Sequence, residues 1–437
     1  MLASSNIGAQ EGHMVLGTGA ESIAGFNLKV VQETIALLRQ ETYYPQSMRR
    51  TPANPPLCDR LVQEVVRMLL QAIYEPIFKD NSHGFRPNRS CHTALVQVKT
   101  RCKDTNWVIE GDITDFYANV QSGKLRELLA RNISDGRFLS LIDKFLKAGY
   151  MDGNLLAISL AGASQGSSVG SMLANIYLHE LDLYMEKLCA HYGQDANQIR
   201  YIRYADDFVV MISGNKQLAE QIRQVIKDFL AQELQLELNL KKTLITHLLS
   251  QRARFLGYEI ARNKASKHAM GNILESDQRG ANETIQLLVP ADVIREKLKP
   301  FVENGKAVHH KARIHLPLPD LIQKYNEEII GLYHYYCLAT DVSSKIGKFK
   351  HYHYSSLMKT VASKEKSSVA KVIRKYGVDV KRKQATGTRK IVGIAYTTPE
   401  GSHILTYFDG PIKRLDQPPD WSYPYGSALQ ASRDGTN

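Results

Sequence analysis

The chain has 437 residues, of which 43% are hydrophobic and 23% charged, a balance typical of globular proteins with two to four domains rather than of disordered chains. No run approaches the ~20 uninterrupted apolar residues of a membrane span, and no secretory signal opens the chain, so we expect an intracellular protein, bacterial cytoplasmic or organellar, without a membrane partner. The five cysteines are scattered without a Cys-x-x-Cys pair, which argues against a disulfide framework and a zinc site.

Positive charge is concentrated towards the carboxyl end. The formal net charge is +12, and residues 341–390 contain fourteen Lys and Arg against three acidic residues. Aromatic residues interleave with these cations, at Phe349, Tyr352, Tyr354 and Tyr376, where they could stack on bases. We therefore expect a polyanionic partner whose binding weakens steeply with salt. The alternative is a charged, solvated face that serves solubility.

The first half of the chain predicts helices separated by loops. Apolar residues at helical spacing predict helices at 28–38, 59–73, 93–102, 124–130 and 138–148, with a basic loop at 81–92. Residues 107–117 predict a short strand that ends in acidic residues. Residues 161–170 are small and flexible, which suits close approach of the backbone to a ligand.

The second half predicts more helix, with strands at its centre and its end. Helices are predicted at 171–189, 217–234, 291–297, 317–336 and 354–376, and strands at 240–245, at 254–260 and from Lys390 onward. The polar break at 271–282 predicts a domain boundary.

Two adjacent carboxylates form the centre of the chain, in Tyr204-Ala205-Asp206-Asp207. The flanking runs, 198–203 and 208–212, are rich in β-branched and aromatic residues and predict antiparallel strands joined by a tight turn. Adjacent side chains on extended backbone point to opposite faces, so we expect one Asp to bind metal fully while the other assists. Taken alone, the four residues suit an ordinary hairpin turn equally well.

Asp112 supplies a third carboxylate at the end of the strand predicted about ninety residues earlier. Three carboxylates brought together repel one another unless they hold divalent metal, and Mg²⁺ prefers such oxygen ligands. Two metal ions ~4 Å apart activate an attacking hydroxyl and neutralise a leaving pyrophosphate in phosphoryl transfer. The sequence therefore favours Mg²⁺-dependent phosphoryl transfer on a polyanionic substrate.

In chain order, the motifs resemble those of group II intron-encoded reverse transcriptases, also called maturases. The matching stretches are residues 84–90 after 75–78, 111–117, 165–167 with 173–178, 204–207, 242–243, 255–258, 331–336 and 356–366. One box is weak support, whereas the series in family order is specific, and it spans about residues 14–415.

The resemblance implies a right-hand polymerase of α+β class, with fingers and palm built on an antiparallel sheet and followed by an α-helical thumb, or X, domain. The domains it predicts are an N-terminal extension with fingers (1–105), a palm (106–275), a thumb (276–385) and a small basic tail (386–437), a candidate DNA-binding segment. The implied functions are RNA-dependent DNA polymerisation and binding of the parent intron RNA, which promotes splicing and retromobility. The implied partners are that RNA, a DNA target, a cDNA primer-template and dNTPs.

The resemblance also assigns roles around the predicted turn. Asp112 and Asp206 are the expected Mg²⁺ ligands, with Asp207 assisting. Tyr117 is expected to reject a ribose 2′-hydroxyl by sterics, although a core aromatic is the simpler alternative. Gln165 and Ala205 are expected at the incoming nucleotide, and a loop-capping amide is the alternative for Gln165.

Six cations are expected to contact nucleic acid. Lys242 would meet the primer backbone, and Arg86 and Arg89 the template phosphates, because the guanidinium fork suits phosphate geometry. Lys359, Lys364 and Lys366 are expected to share a helical face that tracks RNA. Solvated surface charge is the alternative for each.

Two departures from the family pattern leave other functions open. Residues 51–56 stand where the family carries a longer basic segment that grips the incoming triphosphate, and no HNH-type Cys/His cluster follows residue 415. The resemblance then implies that mobility relies on another nuclease or on replication-fork primers. The alternatives are an RNA-binding splicing maturase with a degenerate polymerase site and a reverse transcriptase of a defence or retron system. The intact carboxylates argue against the first, and the Lys-rich thumb against the second.

Overall fold

The computed structural model describes residues 28–45, 48–49, 57–102, 104–148, 150–152, 155–157, 168–192, 199–263, 285–381, 388–398 and 401–418. The chain divides into two compact units, Met1–Phe255 and Leu256–Asn437. None of the helices in these described ranges combines the length and apolar character that a membrane span requires.

The first unit combines long helices with short strands. Its helices are α1 (Leu28–Arg39), α2 (Leu57–Tyr74), α3 (Cys91–Arg101), α4 (Phe116–Asn119), α5 (Ser122–Ala130), α6 (Gly136–Ala148), α7 (Ser168–Tyr192) and α8 (Lys216–Glu233). Its strands are β1 (Met48–Arg49), β2 (Trp107–Gly111), β3 (Tyr150–Asp152), β4 (Leu155–Ala157), β5 (Ile199–Tyr204), β6 (Asp207–Ile212), β7 (Leu244–His247) and β8 (Ala253–Phe255).

A four-stranded sheet in the order β5-β6-β2-β7 organises this unit. Every neighbouring pair in it is antiparallel, and Gly111 at the end of β2 pairs with Phe208 of β6. The apolar side chains of β6 are almost wholly buried, because α7 and α8 pack on the strands and complete the hydrophobic core. The end of β2 therefore lies beside the start of β6.

The second unit is helical at its centre and ends in a small sheet. Its helices are α9 (Ala291–Leu298), α10 (Leu318–Tyr335), α11 (Val342–Lys364) and α12 (Val369–Tyr376), with a 3₁₀ turn at Lys311–Arg313. Its strands are β9 (Tyr258–Arg262), β10 (Ile285–Leu288), β11 (Val302–Glu303), β12 (Lys306–Ala307), β13 (Gly377–Lys381), β14 (Thr388–Thr398) and β15 (Gly401–Thr406). Strands β13, β14 and β15 form an antiparallel sheet.

Most predicted helices and the central hairpin are confirmed, while four elements differ. The strand predicted at 107–117 ends at Gly111, and Phe116–Asn119 form a helix. The strand predicted at 240–245 begins only at Leu244, because residues 239–242 form a turn closed by Asn239. The strand predicted at 254–260 breaks at Leu256 and Gly257, which both have positive φ. The helix predicted at 354–376 is two helices, and the first of them begins at Val342.

The α+β class is confirmed, since both units mix helices with antiparallel strands. The units divide after Phe255, whereas the predicted palm–thumb boundary falls at residue 275, which lies outside the described residues together with the polar break at 271–282. The division into four domains therefore stays a prediction.

Candidate active site

The turn between β5 and β6 presents two carboxylates at one end of the sheet. Tyr204 pairs with Asp207, so Ala205 and Asp206 form a two-residue turn. Ala205 has a φ of 56°, a left-handed conformation that an L-residue adopts only when its surroundings hold it there. Asp206 is half-buried, and Asp207, the first residue of β6, is exposed.

Asp112 reaches the same end of the sheet from β2. It follows Gly111, which pairs with Phe208, and its backbone carbonyl accepts a hydrogen bond from the Asn239 amide at 2.8 Å. A Cβ at Gly111 would lie 2.2 Å from the buried Phe208 ring, so this ring packs directly over the glycine and a larger residue would displace it. The structure thus brings together Asp112, Asp206 and Asp207, although they are far apart in sequence.

The three carboxylates are close enough to influence one another's charge. Burial raises the pKa of Asp206, and the Asp112 carboxylate raises it further. Burial and then the carboxylates of Asp206 and Asp112 raise the pKa of Asp207 to about 6. The Lys242 amine lies 3.3 Å from Asp112 Oδ2 and offsets part of this repulsion.

The donor chemistry of this cluster fits a divalent cation. Carboxylate oxygens suit Mg²⁺, and Mg²⁺ is commonly bound through one or two carboxylates with water and substrate phosphates completing its shell. Within the described residues, no three acidic, His or Cys side chains already converge on one point as ligands. The carboxylates of Asp112 and Asp206 fit such a two-carboxylate site.

Tyr117 lies in α4, beside the carboxylates. Its ring packs edge-on against Phe116, with the ring centroids 5.1 Å apart, and is half-buried against the core. Burial raises the pKa of Tyr117 to about 12, and the Asp206 carboxylate contributes to that rise. The Asp206 carboxylate is thus close enough to act on the phenol, and the steric role and the core role of Tyr117 both stay predictions. Gln165 lies outside the described residues.

Arg86 and Arg89 belong to the loop that follows α2, and the structure separates their roles. The Arg86 side chain is only 4% exposed, and its guanidinium donates to the Glu75 carboxylate and to the carbonyls of Lys79 and Ser82. This burial argues against the predicted phosphate contact of Arg86, which instead holds the loop. Arg89 is nearer the surface and pairs with Asp80 at 2.9 Å.

The three lysines predicted to line one helical face do not do so. Helix α11 ends at Lys364, and Lys366 lies beyond it with a φ of 46°, so it leaves the helical face. The Lys359 amine donates to the Ala307 carbonyl at 2.6 Å, and the Lys364 amine donates to the Leu316 carbonyl. These bonds give both lysines a structural role, while their contact with RNA stays a prediction. Phe349, expected to stack on bases, is buried in the core of this unit.

Sequence reasoning missed a buried cluster beneath the carboxylate turn. Arg203 of β5 and Asp182 of α7 form an ion pair in which both side chains are 0% exposed. Arg203 also donates to Ala205 O, Asn175 Oδ1 and Ser82 Oγ, at 2.9, 3.0 and 2.8 Å. No sequence signal singles out this pair, because β5 also contains Arg200 and α7 also contains Glu180 close to Asp182.

Two family matches cover successive parts of the chain. Residues 39–260 match the family described as reverse transcriptase (RNA-dependent DNA polymerase), and residues 282–409 match type II intron maturase. The chain is 32% identical over 450 residues to group II intron-encoded protein LtrA of Lactococcus lactis subsp. cremoris, which covers 85% of this chain and 74% of that protein. The chain belongs to the group II intron reverse transcriptase/maturase family. The resemblance drawn from the motifs is confirmed.

Other relatives differ in how much they share. Protein YkfC of Escherichia coli (strain K12) is 32% identical over 346 residues, covering 68% of this chain and 86% of that protein. The 450 positions aligned with LtrA outnumber the residues of this chain that they cover, so LtrA carries segments that this chain lacks. Telomerase from Candida albicans, solved with a TWJ fragment of telomeric RNA, has a TM-score of 0.40 at 12% identity, over 71% of this chain and 47% of that one, a likeness too loose to decide anything here.

Proposed function

We propose that this family member is an active RNA-directed DNA polymerase that depends on Mg²⁺, and that it also binds its parent intron RNA. The observation that carries the polymerase proposal is the meeting of Asp112, Asp206 and Asp207 at one end of the sheet, where burial and the neighbouring carboxylates raise the pKa values of Asp206 and Asp207. Carboxylates that repel one another at a protein surface favour a site built for cations, and membership of the reverse transcriptase family supplies the reaction.

The residues divide the work of polymerisation as follows. Asp112 and Asp206 hold Mg²⁺, Asp207 assists, and bound Mg²⁺ supplies the positive charge that phosphoryl transfer from a dNTP requires. Tyr117 bars a ribose 2′-hydroxyl from the nucleotide site, where the Ala205 backbone forms the floor and Gln165 is proposed from its motif alone. Lys242 reaches the primer backbone, and Arg89 the template strand.

Primer extension on poly(rA)/oligo(dT) tests the polymerase proposal. Asp206→Asn keeps the size of the side chain but removes its charge, so we expect extension to fall at least ~10³-fold, while the melting temperature stays the same or rises because repulsion is relieved. Asp104→Asn is the matched control, since Asp104 is an exposed acid just before β2, in the same unit. Extension that is equal in Asp206→Asn and wild type would refute the proposal.

The proposal that the second unit binds intron RNA rests on its family match and on its charge. Residues 282–409 match the type II intron maturases, and outward cations stand on and after α11, at Lys348, Lys371, Arg374 and Lys390. Cations of this kind release counterions when they meet phosphates, which supplies affinity. The ribozyme performs splicing, and the protein stabilises its fold. A splicing assay at low Mg²⁺ tests this role, and splicing that the protein does not accelerate would contradict it.

A splicing maturase with a degenerate polymerase site is the alternative. The observation that favours it is the short segment at 51–56, together with the segments that LtrA carries and this chain lacks. Weaker grip on the triphosphate would appear as a high KM for dNTP rather than as a missing metal site. If the wild-type protein accelerates splicing of its intron but extends no primer at millimolar dNTP, the alternative is correct.

A further inference from the structure

We propose that Arg203 is a positioning residue for metal binding, because it fixes the peptide that carries Asp206. The inference rests on the proposed function for the identity of the ligand, a divalent cation held by Asp112 and Asp206. It assigns a role in that site to a side chain that never touches metal or substrate.

Every hydrogen-bond donor of Arg203 is used. Nε and Nη2 donate to the two oxygens of Asp182, at 2.8 and 2.5 Å. Nη1 donates to Asn175 Oδ1 at 3.0 Å and to Ala205 O at 2.9 Å, and Nη2 also donates to Ser82 Oγ at 2.8 Å. A guanidinium has five N–H groups, and here each one meets an acceptor in the interior. Helix α7, the loop that contains Ser82 and the β5–β6 turn are thereby joined at one side chain.

The bond to Ala205 O is the one that bears on the metal site. That carbonyl belongs to the peptide group that links Ala205 to Asp206, so holding its oxygen fixes the plane from which the Asp206 side chain departs. Ala205 is in the left-handed region, which is unfavourable for a residue with a Cβ and persists only when neighbouring groups enforce it. Arg203 is such a group, because it approaches the turn from the interior.

The loop at 81–84 encloses the turn from another side. Asn175 Nδ2 donates to the Gly84 carbonyl at 2.7 Å, and the His83 amide donates to the Arg203 carbonyl at 2.9 Å. A Cβ at Gly84 would lie 2.4 Å from the Ala205 nitrogen, so the two backbones are in direct contact. The turn is thus fixed by backbone packing on one side and by the guanidinium on the other.

A purely stabilising ion pair would not need this arrangement. Buried ion pairs contribute little more to stability than apolar pairs of the same volume, because desolvation offsets the attraction. An apolar pair would fill the space of Arg203 and Asp182 but would leave Ala205 O without its donor. If the ion pair only stabilises the protein, an apolar replacement should leave metal affinity unchanged. If Arg203 positions Asp206, the same replacement should lower it.

Mn²⁺ binding to the full-length protein, followed by electron paramagnetic resonance, tests the inference without requiring turnover. Asp206→Asn gives the background from other sites. Arg203→Lys keeps the charge beside Asp182 but has no planar fork to span Asp182 and Ala205, and we expect its Mn²⁺ affinity to fall about 10-fold, as is usual when a group that orients a metal ligand is changed. Arg203→Met with Asp182→Leu fills the same space with apolar side chains and should show the same loss while remaining folded.

Asn326→Ala is the matched control. Asn326 is also buried and also bridges backbone groups, since its Nδ2 donates to Thr406 O and its Oδ1 accepts from the Phe408 backbone N–H, but it lies in the second unit. Its replacement should lower the melting temperature and leave Mn²⁺ affinity unchanged. In primer extension, the Arg203 variants should need about 10-fold more Mg²⁺ for half-maximal rate, with an unchanged KM for primer-template.

The possible outcomes separate the two proposals. Wild-type Mn²⁺ affinity in folded Arg203→Lys, or in the double variant if Arg203→Lys does not fold, would overturn the positioning role even if stability falls. Mn²⁺ binding that is the same in wild type and Asp206→Asn would overturn it as well, because no site would exist to position. Wild type that binds Mn²⁺ at Asp206 yet extends no primer would refute the polymerase proposal alone, and the positioning role would be decided by the Mn²⁺ data.

Discussion

Each unit contains a cluster around an arginine, at Arg203 in the first unit and at Arg313 in the second, and the two clusters have different roles. In the first unit, Arg203 and Asp182 are sealed from solvent, and the guanidinium reaches beyond its partner to the carboxylate turn. In the second unit, Arg313 pairs with Glu328, which is 34% exposed and also meets His353 of α11. The second cluster joins α10 to α11 and the preceding loop. The first one, in addition, supports the turn that carries Asp206 and Asp207.

The comparison shows how a protein can hold neighbouring acidic side chains whose charged forms are disfavoured. Asp182 has its countercharge inside the protein, whereas Asp206 and Asp207 have raised pKa values because burial and their neighbours disfavour the charged form. The repulsion between the neighbouring acids is unfavourable, and the Arg203–Asp182 cluster below the turn holds them in place despite it. Glu328 differs, because its charge is compensated within the protein by Arg313 and it accepts a hydrogen bond from His353.

Breaking the ion pair of each cluster should give the largest difference. Asp182→Asn leaves the Arg203 charge buried without its counterion, and we expect a loss of about 3–5 kcal/mol in the free energy of unfolding. Glu328→Gln breaks a pair that solvent screens, so about 1 kcal/mol is expected. Urea unfolding followed by far-UV circular dichroism measures both. Equal losses would show that burial does not distinguish the two clusters.

A Gly→Ala substitution in each unit tests how tightly the backbone is packed, at Gly84 beside the turn and at Gly331 on α10. Gly84→Ala forces a Cβ to 2.4 Å from the Ala205 nitrogen, so the turn must shift, with an expected loss of about 1–3 kcal/mol and a fall of about 10-fold in primer extension. Gly331→Ala on α10 meets nothing within 4 Å and should stabilise its helix by up to about 1 kcal/mol. Thermal unfolding and extension rates test the pair, and unimpaired extension by Gly84→Ala would show that the loop does not hold the turn.

These contrasts mark what the sequence could predict. The hairpin at 199–212 was predictable because β-branched and aromatic residues flank a turn, and the carboxylates were predictable because their motifs follow family order. The break between α11 and α12 was missed because residues 365–368 contain neither Gly nor Pro, although Ser368 caps α12. Burial of Arg203 was not predictable, since its acceptors Asp182 and Ser82 are 21 and 121 residues away and only the fold brings them together.

Acid should weaken the second cluster through Glu328. Burial alone would raise the pKa of Glu328, but hydrogen bonds from Arg313 and His353 outweigh it and lower the pKa to about 2. The unfolded chain binds that proton near pH ~4.3, so the stabilisation is complete above this value and is lost as the pH falls towards 2. With partial exposure, we expect about 1 kcal/mol. The stability difference between wild type and Glu328→Gln, measured from pH 6 to 3, should shrink as the pH falls, and a constant difference would contradict the assignment.

The smallest expected effect is on the salt dependence of RNA binding, and it compares solvent-exposed cations with a lysine that is hydrogen-bonded within the protein. Lys371 and Arg374 project from α12, so Lys371→Ala with Arg374→Ala should reduce the salt slope of intron RNA binding by about 1.5 and leave stability unchanged. Lys364 donates to the Leu316 carbonyl, so Lys364→Met should lower the melting temperature and change the slope less than either α12 cation does. Filter binding between 50 and 300 mM salt measures the slopes. If Lys364→Met reduced the slope by a full unit, Lys364 would bind an RNA phosphate rather than the Leu316 carbonyl when RNA is present.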